Sequence, residues 1–278
     1  MSSCSEEPRD APARLTLDRI DDERTMRREI PQRGTSWARG LAAAIERTGI
    51  TPNMISSASV LIAAGGCAAL VGSGWAVEAG DDGVRAALLI VAALAAPLRL
   101  LMNMLDGMVA VEGGRQTPVG DLFNEVPDRV ADVLLLAGAG YAIASVHGGL
   151  TVGWVAAVLA LLTAYVRSLG AAQGLSNHFE GPMAKPRRMW LLMLGCLLSL
   201  LEPVVVVPLG LERGAVLGVV LAVIAAGSLA TVGIRLHLIG RELKERAASM
   251  AGVGPSGPSA APSAGPAAEP PRTTTGEG

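Results

Sequence analysis

The sequence predicts an all-α, polytopic membrane protein: a bundle of six transmembrane helices preceded by an amphipathic helix lying at the membrane interface. Three observations predict it. Half of the 278 residues are hydrophobic but only 3% are aromatic, so the apolar content is Ala, Leu, Val and Gly, as in membrane helices rather than aromatic-rich soluble cores. Apolar runs near 54–74, 85–110, 125–146, 150–170, 188–207 and 214–238 approach or exceed the roughly 20 residues a helix needs to cross a bilayer. Basic residues gather at alternate span ends. Arg47, Arg115, Arg129, Arg167, Lys185, Arg187, Arg188, Arg235, Arg241, Lys244 and Arg246 fall on one side, with only Arg85 and Arg213 opposite. Lys and Arg accumulate on the cytoplasmic side, so both termini are expected there, in the cell membrane.

Residues 1–34 are charged with little periodic apolar content and read as a flexible cytoplasmic arm without the apolar core of a secretory signal. In SWARGLAAAIER, Trp37, Leu41, Ala44 and Ile45 recur at helical spacing, which predicts the interfacial helix. Thr51-Pro52-Asn53 punctuates the chain, with Asn53 expected to cap the first span. Glu202, Pro203 and Pro208 blur the outer end of the fifth span. From 249 to 278 the chain is rich in Pro, Gly, Ala and Ser and reads as a disordered tail, leaving 35–248 as the membrane domain. The formal net charge of −2 supplies no footprint for nucleic acid. Cys4, Cys67 and Cys196 show neither a paired framework nor metal-ligand spacing. Trp37, Trp75, Trp154 and Trp190 sit near span boundaries and read as interface anchors.

The chemistry is concentrated between spans two and three, in Asn103-x-x-Asp106-Gly107-x-x-Ala110 followed by Gly120-x-x-x-Asn124-x-x-x-Asp128. Asn103 and Asp106 share a helical face, with Arg99 one turn earlier. On the next helix, Asp121, Asn124, Glu125, Asp128 and Asp132 fall within an arc of roughly 100° at about 100° per residue. So much acid on one face repels itself unless cations or basic groups lie opposite. Oxygen donors from two facing helices suit hard divalent cations, Mg2+ or Mn2+. Asn and Asp in membrane helices can also be simple interhelical hydrogen-bond partners. Ionisable residues at membrane depth nevertheless mark function more often than not.

This spacing resembles the signature of the CDP-alcohol phosphatidyltransferase family, D-x-x-D-G-x-x-A-R-x8-G-x-x-x-D-x-x-x-D, with Gly107, Ala110 and Gly120 in register. Asn103 and Asn124 replace its first and third aspartates, and Val111 replaces its arginine. The resemblance spans roughly 50–245 and includes a similar T-P-N before the first span. It implies transfer of a phosphatidyl or related phospho-alcohol group from CDP-diacylglycerol, or another CDP-alcohol, to a small alcohol or polyol, releasing CMP. It also implies metal ligation by Asn103, Asp106, Asn124 and Asp128, catalytic roles for Asp106 and Asp128 with Asp128 accepting the acceptor's proton, and a homodimer embedded in membrane lipid.

A carboxamide offers one neutral oxygen where a carboxylate offers charge, so Glu125, Asp121 or Asp132 is expected to compensate at the metal. Because both asparagines keep an oxygen donor, a variant subfamily is favoured over a decayed enzyme. Gly107, Ala110 and Gly120 would let the nucleotide approach the backbone. Lys185, Arg187 and Arg188 are candidates for the donor diphosphate, although a basic cytoplasmic loop also serves orientation. The alternative is a catalytically inactive lipid-binding or assembly subunit on the same scaffold. A solute transporter is disfavoured because the intramembrane charges cluster at one face.

Overall fold

The computed structural model describes residues 35–112 and 120–252, all of whose regular elements are helical. The arm expected over 1–34 lies outside the described residues, as does the tail beyond 252. In chain order the helices are α1 (Ser36–Arg47), α2 (Pro52–Ala79), α3 (Asp82–Glu112), α4 (Gly120–Ala142), α5 (Gly149–Ala172), α6 (Lys185–Ser199), α7 (Glu202–Val205) and α8 (Ala215–Gly252).

Among the described residues, α2, α3, α5 and α8 are long and apolar enough to cross a membrane. A fifth span exists if α6, α7 and the following 3-10 turn are counted as one element bent by 51°. Large apolar side chains ring the outside, including Leu61, Trp75, Leu94, Val204 and Val219, as expected of helices solvated by lipid. The interior is instead built from small residues. Ala63, Ala92, Ala96, Ala131, Ala139, Ala156 and Ala157 are buried among Leu70, Leu89, Leu135 and Leu221.

Without a solvent-driven force between helices in lipid, close packing of small residues holds such bundles together. α4 and α5 cross at Gly140 and Gly153, where a Cβ added to Gly153 would lie 2.4 Å from the Gly140 Cα. α2 packs on both α3 and α4, α5 packs on α4 and α8, and α6 closes the bundle against α3 and α8.

The first span starts two residues earlier than Asn53 as a cap would place it, at Pro52, and Thr51 is its cap. Thr51 is extended, and its Oγ1 accepts from the Met54 N–H at 3.3 Å. Proline suits the first helical position, where its missing donor has no intrahelical partner anyway. α2 ends at Gly80, whose left-handed backbone (φ 70°) directs its N–H back to the α2 carbonyls and permits the tight return into α3.

At the end of the bundle where α2 meets α3, Glu202 is fully buried. It accepts from Arg85 Nη2 at 2.6 Å, from the Gly214 N–H at 2.7 Å and from the Val216 N–H at 2.9 Å. The bend after α6 therefore delivers a carboxylate to the N-terminus of α8, where unpaired backbone donors and the helix dipole favour it. Nearby, Arg213 forks onto Asp82 at 2.9 and 2.8 Å in a partly exposed pair.

Glu202→Ala leaves Arg85 charged and unpaired, so it is expected to lower stability by about 3–5 kcal/mol. Asp82→Ala removes only the exposed pair and is expected to lower it by less than about 1 kcal/mol. Thermal unfolding in detergent measures both.

Candidate active site

α3 and α4 bring two carboxylates, Asp106 and Asp128, into one buried polar region. Asp106 lies within electrostatic reach of Asp128 and Lys185. Ser56, one turn into α2, donates to Asp106 Oδ2 at 2.7 Å. The other oxygen, Oδ1, is buried without a hydrogen-bond partner. A buried, unsatisfied carboxylate oxygen is costly unless something occupies it. Asn103 stands one turn earlier on α3 and is half-buried, and Gly107 adjoins Asp106.

Asp128 is held differently. Arg99, reaching from α3 and completely buried, uses Nη2 to donate to Asp128 Oδ1 at 3.1 Å and to the Asp128 carbonyl at 2.8 Å. Lys185 Nζ, from the first turn of α6, pairs with Asp128 Oδ2. One turn along α4, Asp132 lies between Arg99 Nη1 and Arg188 Nη2, each at 2.9 Å. The Arg188 contact is a hydrogen bond, whereas the Arg99 contact is a charge pairing without hydrogen-bond geometry. Arg188 Nη1 also donates to Thr163 Oγ1 at 3.1 Å and to the Met183 carbonyl at 3.0 Å. The acids that crowd one face of α4 are thus met by Arg99, Lys185 and Arg188 from two other helices.

α6 is set in place by α8. The Met183 N–H donates to Thr231 Oγ1 at 3.0 Å, and Arg235 donates to the Thr163 and Glu180 carbonyls at 2.6 and 3.0 Å. Gly181 (φ 124°) passes so close to Thr231 that a Cβ would lie 2.4 Å from its methyl group. Ala184 is extended and Pro186 occupies the first turn of α6, which presents Lys185 inward.

The expected site residues are therefore distributed as follows. Asp106, Asp128 and Lys185 come together, with Asn103 beside Asp106 on its helix. Glu125, expected to compensate at a metal, lies between Arg129, one turn on, and Arg167, at 2.8 Å, and its side chain is 43% exposed. Arg188, expected to face phosphate, is buried in the Asp132 network, whereas Arg187 is exposed and donates to the Pro182 carbonyl at 3.1 Å. Ala110, Gly120, Asp121 and Asn124 lie in helical backbone, but their side chains are outside the described residues.

Ser56 was not singled out by motif reading, and Asp132, a candidate to compensate at a metal, lies between Arg99 and Arg188. The signal for Asp132 was present: two aspartates four residues apart on one helix, and an arginine embedded in an apolar run. For Ser56, no local signal exists.

As a metal site the region is asymmetric. The unpartnered Asp106 Oδ1, with a carboxamide on the same helical face, fits a hard divalent cation. Both oxygens of Asp128 are taken up by basic side chains. No group of three or more His, Cys, Asp or Glu side chains gathers as a metal site among the described residues. A separate open groove of about 470 Å3 on the outer face of α4 and α5 is lined mainly by Val126, Val158, Leu161, Leu162 and Tyr165, and neither Asp106 nor Asp128 lines it.

No protein-family model and no curated relative matches the sequence. Solved structures do. The phosphatidylinositol phosphate synthase of Mycobacterium tuberculosis, in complex with manganese and citrate, superposes with a TM-score of 0.58 at 21% identity, covering 73% of this chain and 88% of the synthase. The same synthase with CDP-DAG bound matches with a TM-score of 0.58 at 21% identity, covering 73% and 92%. Its apo form matches at 0.54 and 23% identity, covering 71% and 93%. The chain shares the fold of that synthase over most of the synthase's length.

Arg99→Ala removes a buried base shared by two buried aspartates, Asp128 and Asp132, and is expected to destabilise the protein by about 3–5 kcal/mol. Arg187→Ala, at the surface, is expected to change stability by less than about 0.5 kcal/mol. Detergent melts of the two variants side by side check the contrast.

Proposed function

We propose that this chain is a CDP-alcohol phosphatidyltransferase of phospholipid biosynthesis. It moves a phosphatidyl or related phospho-alcohol group from a CDP-activated donor to the hydroxyl of a small alcohol or polyol and releases CMP. The observation that carries this reading is the convergence of Asp106 and Asp128, from successive helices, on one buried region beside Lys185, in a fold shared with a synthase solved with manganese and with CDP-DAG.

We read the chain as six-spanning. α4 has 23 residues, and at 1.5 Å per residue that is about 34 Å, enough to cross the hydrocarbon core. Its acids exclude it by composition, yet those described toward the bundle interior, Asp128 and Asp132, are paired with buried bases rather than exposed to lipid. The site faces the cytoplasm in this reading. Arg129, Arg167, Lys185, Arg187, Arg188 and Arg235 collect at the active-site end against Arg85 and Arg213 at the opposite end, so the excess of basic residues lies on the active-site side. α1 lies at the interface, with Trp37 and Leu41 exposed while Ala42 packs with Ile55, Met104 and Leu105. A homodimer is expected from the resemblance.

Asp106 and Asn103, with Asn124 from α4, would hold Mg2+ or Mn2+. When bound, the cation offsets the diphosphate charge that grows as CMP leaves. Gly107, Ala110 and Gly120 leave room for the nucleotide along the backbone. Lys185 and Arg187 meet the donor diphosphate from the start of α6. As Lys185 turns to the diphosphate, Asp128 Oδ2 loses its counter-ion and becomes able to take the acceptor's hydroxyl proton, while Arg99 keeps Oδ1 in place. Ser56 orients Asp106.

The pairing of both Asp128 oxygens also motivates a second reading, a lipid-binding subunit that does not turn over. It predicts CDP-diacylglycerol binding without CMP release.

Purified protein supplied with CDP-diacylglycerol, Mg2+ or Mn2+ and a panel of alcohol acceptors is expected to release CMP. Asp106→Asn and Asp128→Asn should each lower the rate by at least about 100-fold, and full activity in either variant rejects the site. Arg187→Ala should raise the KM for the donor while kcat changes less, which initial-rate kinetics will show.

A further inference from the structure

We propose that the Lys185 ammonium is the resident cation of Asp128, occupying the position a divalent metal would otherwise take, so that among the described side chains metal enters this site through Asp106 and Asn103 rather than through Asp128. The inference rests on the transferase reading of the same site.

The two carboxylates are unequal in the structure. Asp106 keeps one buried oxygen without a hydrogen-bond partner, with Ser56 on the other. Asp128 has Arg99 on Oδ1 and Lys185 on Oδ2. A cation approaching Asp128 must displace one of these bases, and the geometry discriminates between them. Arg99 is completely buried and bonded to both the carboxylate and the main chain of Asp128, as well as paired with Asp132. Lys185 pairs with Asp128 from the end of a helix, on a flexible four-carbon stem.

Charge points the same way. With Asn at 103, the described acids that meet in this region are Asp106, Asp128 and Asp132, and Arg99, Lys185 and Arg188 match them one for one. A dication placed at Asp128 would add two positive charges to a balanced cluster in a low-dielectric site, where repulsion is strong. At Asp106, the oxygen that lacks a partner faces no such competitor. Lys185 is held for this task by construction. Extended Ala184, Pro186 in the first turn and the Met183 bond to Thr231 fix the start of α6 so that the stem points at α4.

The test is Mn2+ binding to the full chain in detergent, read by electron paramagnetic resonance of the free ion, with no substrate present. Wild type is expected to bind one Mn2+ in the site, and Asp106→Asn to abolish it. Lys185→Gln is expected to tighten Mn2+ binding at least about tenfold, since a positive charge is removed beside the ion. Lys185→Arg should stay near wild type. Unchanged or weaker binding by folded Lys185→Gln overturns the proposal, as does retained binding in Asp106→Asn.

The charge-balanced double variant Lys185→Gln/Asp128→Asn covers the case in which the single variant does not fold. It should bind Mn2+ like wild type, because neither residue is a ligand there, and loss of binding by about tenfold or more would show that Asp128 is one. CMP release measured on the same preparations separates the two readings. Absent release with this Mn2+ pattern intact rejects the transferase alone. Release accompanied by unchanged binding in Lys185→Gln rejects the Lys185 assignment alone.

Discussion

A single buried arginine organises the polar end of this bundle. Arg99 emerges from the apolar wall of α3, has no solvent exposure, and joins α3 to α4 through Asp128, its carbonyl and Asp132. A guanidinium in that setting is tolerated only if acids surround it, and the acids only if further bases do. That requirement propagates outward. Asp132 calls for Arg188, Arg188 ties α6 to Thr163 of α5, and Asp128 draws in Lys185. Three helices besides α3 are positioned by satisfying one charge.

The opposite end repeats the logic with a different outcome. There Glu202 is the buried group, and it is satisfied by Arg85 and by backbone donors at the start of α8. Both of its oxygens accept from structural partners. At the active-site end, Asp106 Oδ1 is buried without a hydrogen-bond partner, beside acids, Asp128 and Asp132, that are paired with bases. The clasp and the site differ in that Asp106 carries an unpartnered carboxylate oxygen and Asp128 is held partly by a lysine on a flexible stem. Between the two ends, small residues such as Gly140 and Gly153 let the helices approach closely enough for the polar groups to meet.

Much of this was legible in the sequence because helices are local. Periods of 3.6 residues put Asn103 beside Asp106 and Asp128 beside Asp132 without reference to any other segment. Run length located α2, α3, α5 and α8 to within a few residues at most ends. Crowded acid on α4 already demanded bases across from it, and Arg99 lay in an apolar run where only pairing could keep it. Where the structure places residues otherwise than the sequence suggested, the causes are physical. Asn53 is a good capping residue in isolation, but Pro52 prefers the first helical position, and that shifts the cap to Thr51. Glu125 looked like a spare ligand because it shares the acidic arc, yet its outward end of the arc meets Arg129 and Arg167 first. Arg187 and Arg188 are adjacent in sequence but point about 100° apart on a helix, so one reaches the surface and its neighbour enters the core.

The sequence by itself determined the helical class, the membrane setting, the side on which charge collects and the faces that carry oxygen donors, since each depends on residues within a few turns of one another. Only the tertiary structure decided which base meets which acid. Lys185 on Asp128, Arg188 on Asp132 and Ser56 on Asp106 are contacts between segments far apart in the chain, and no local period encodes them. Their pairing is set by how small residues let the helices close and by the requirement that every charge taken out of water finds a partner.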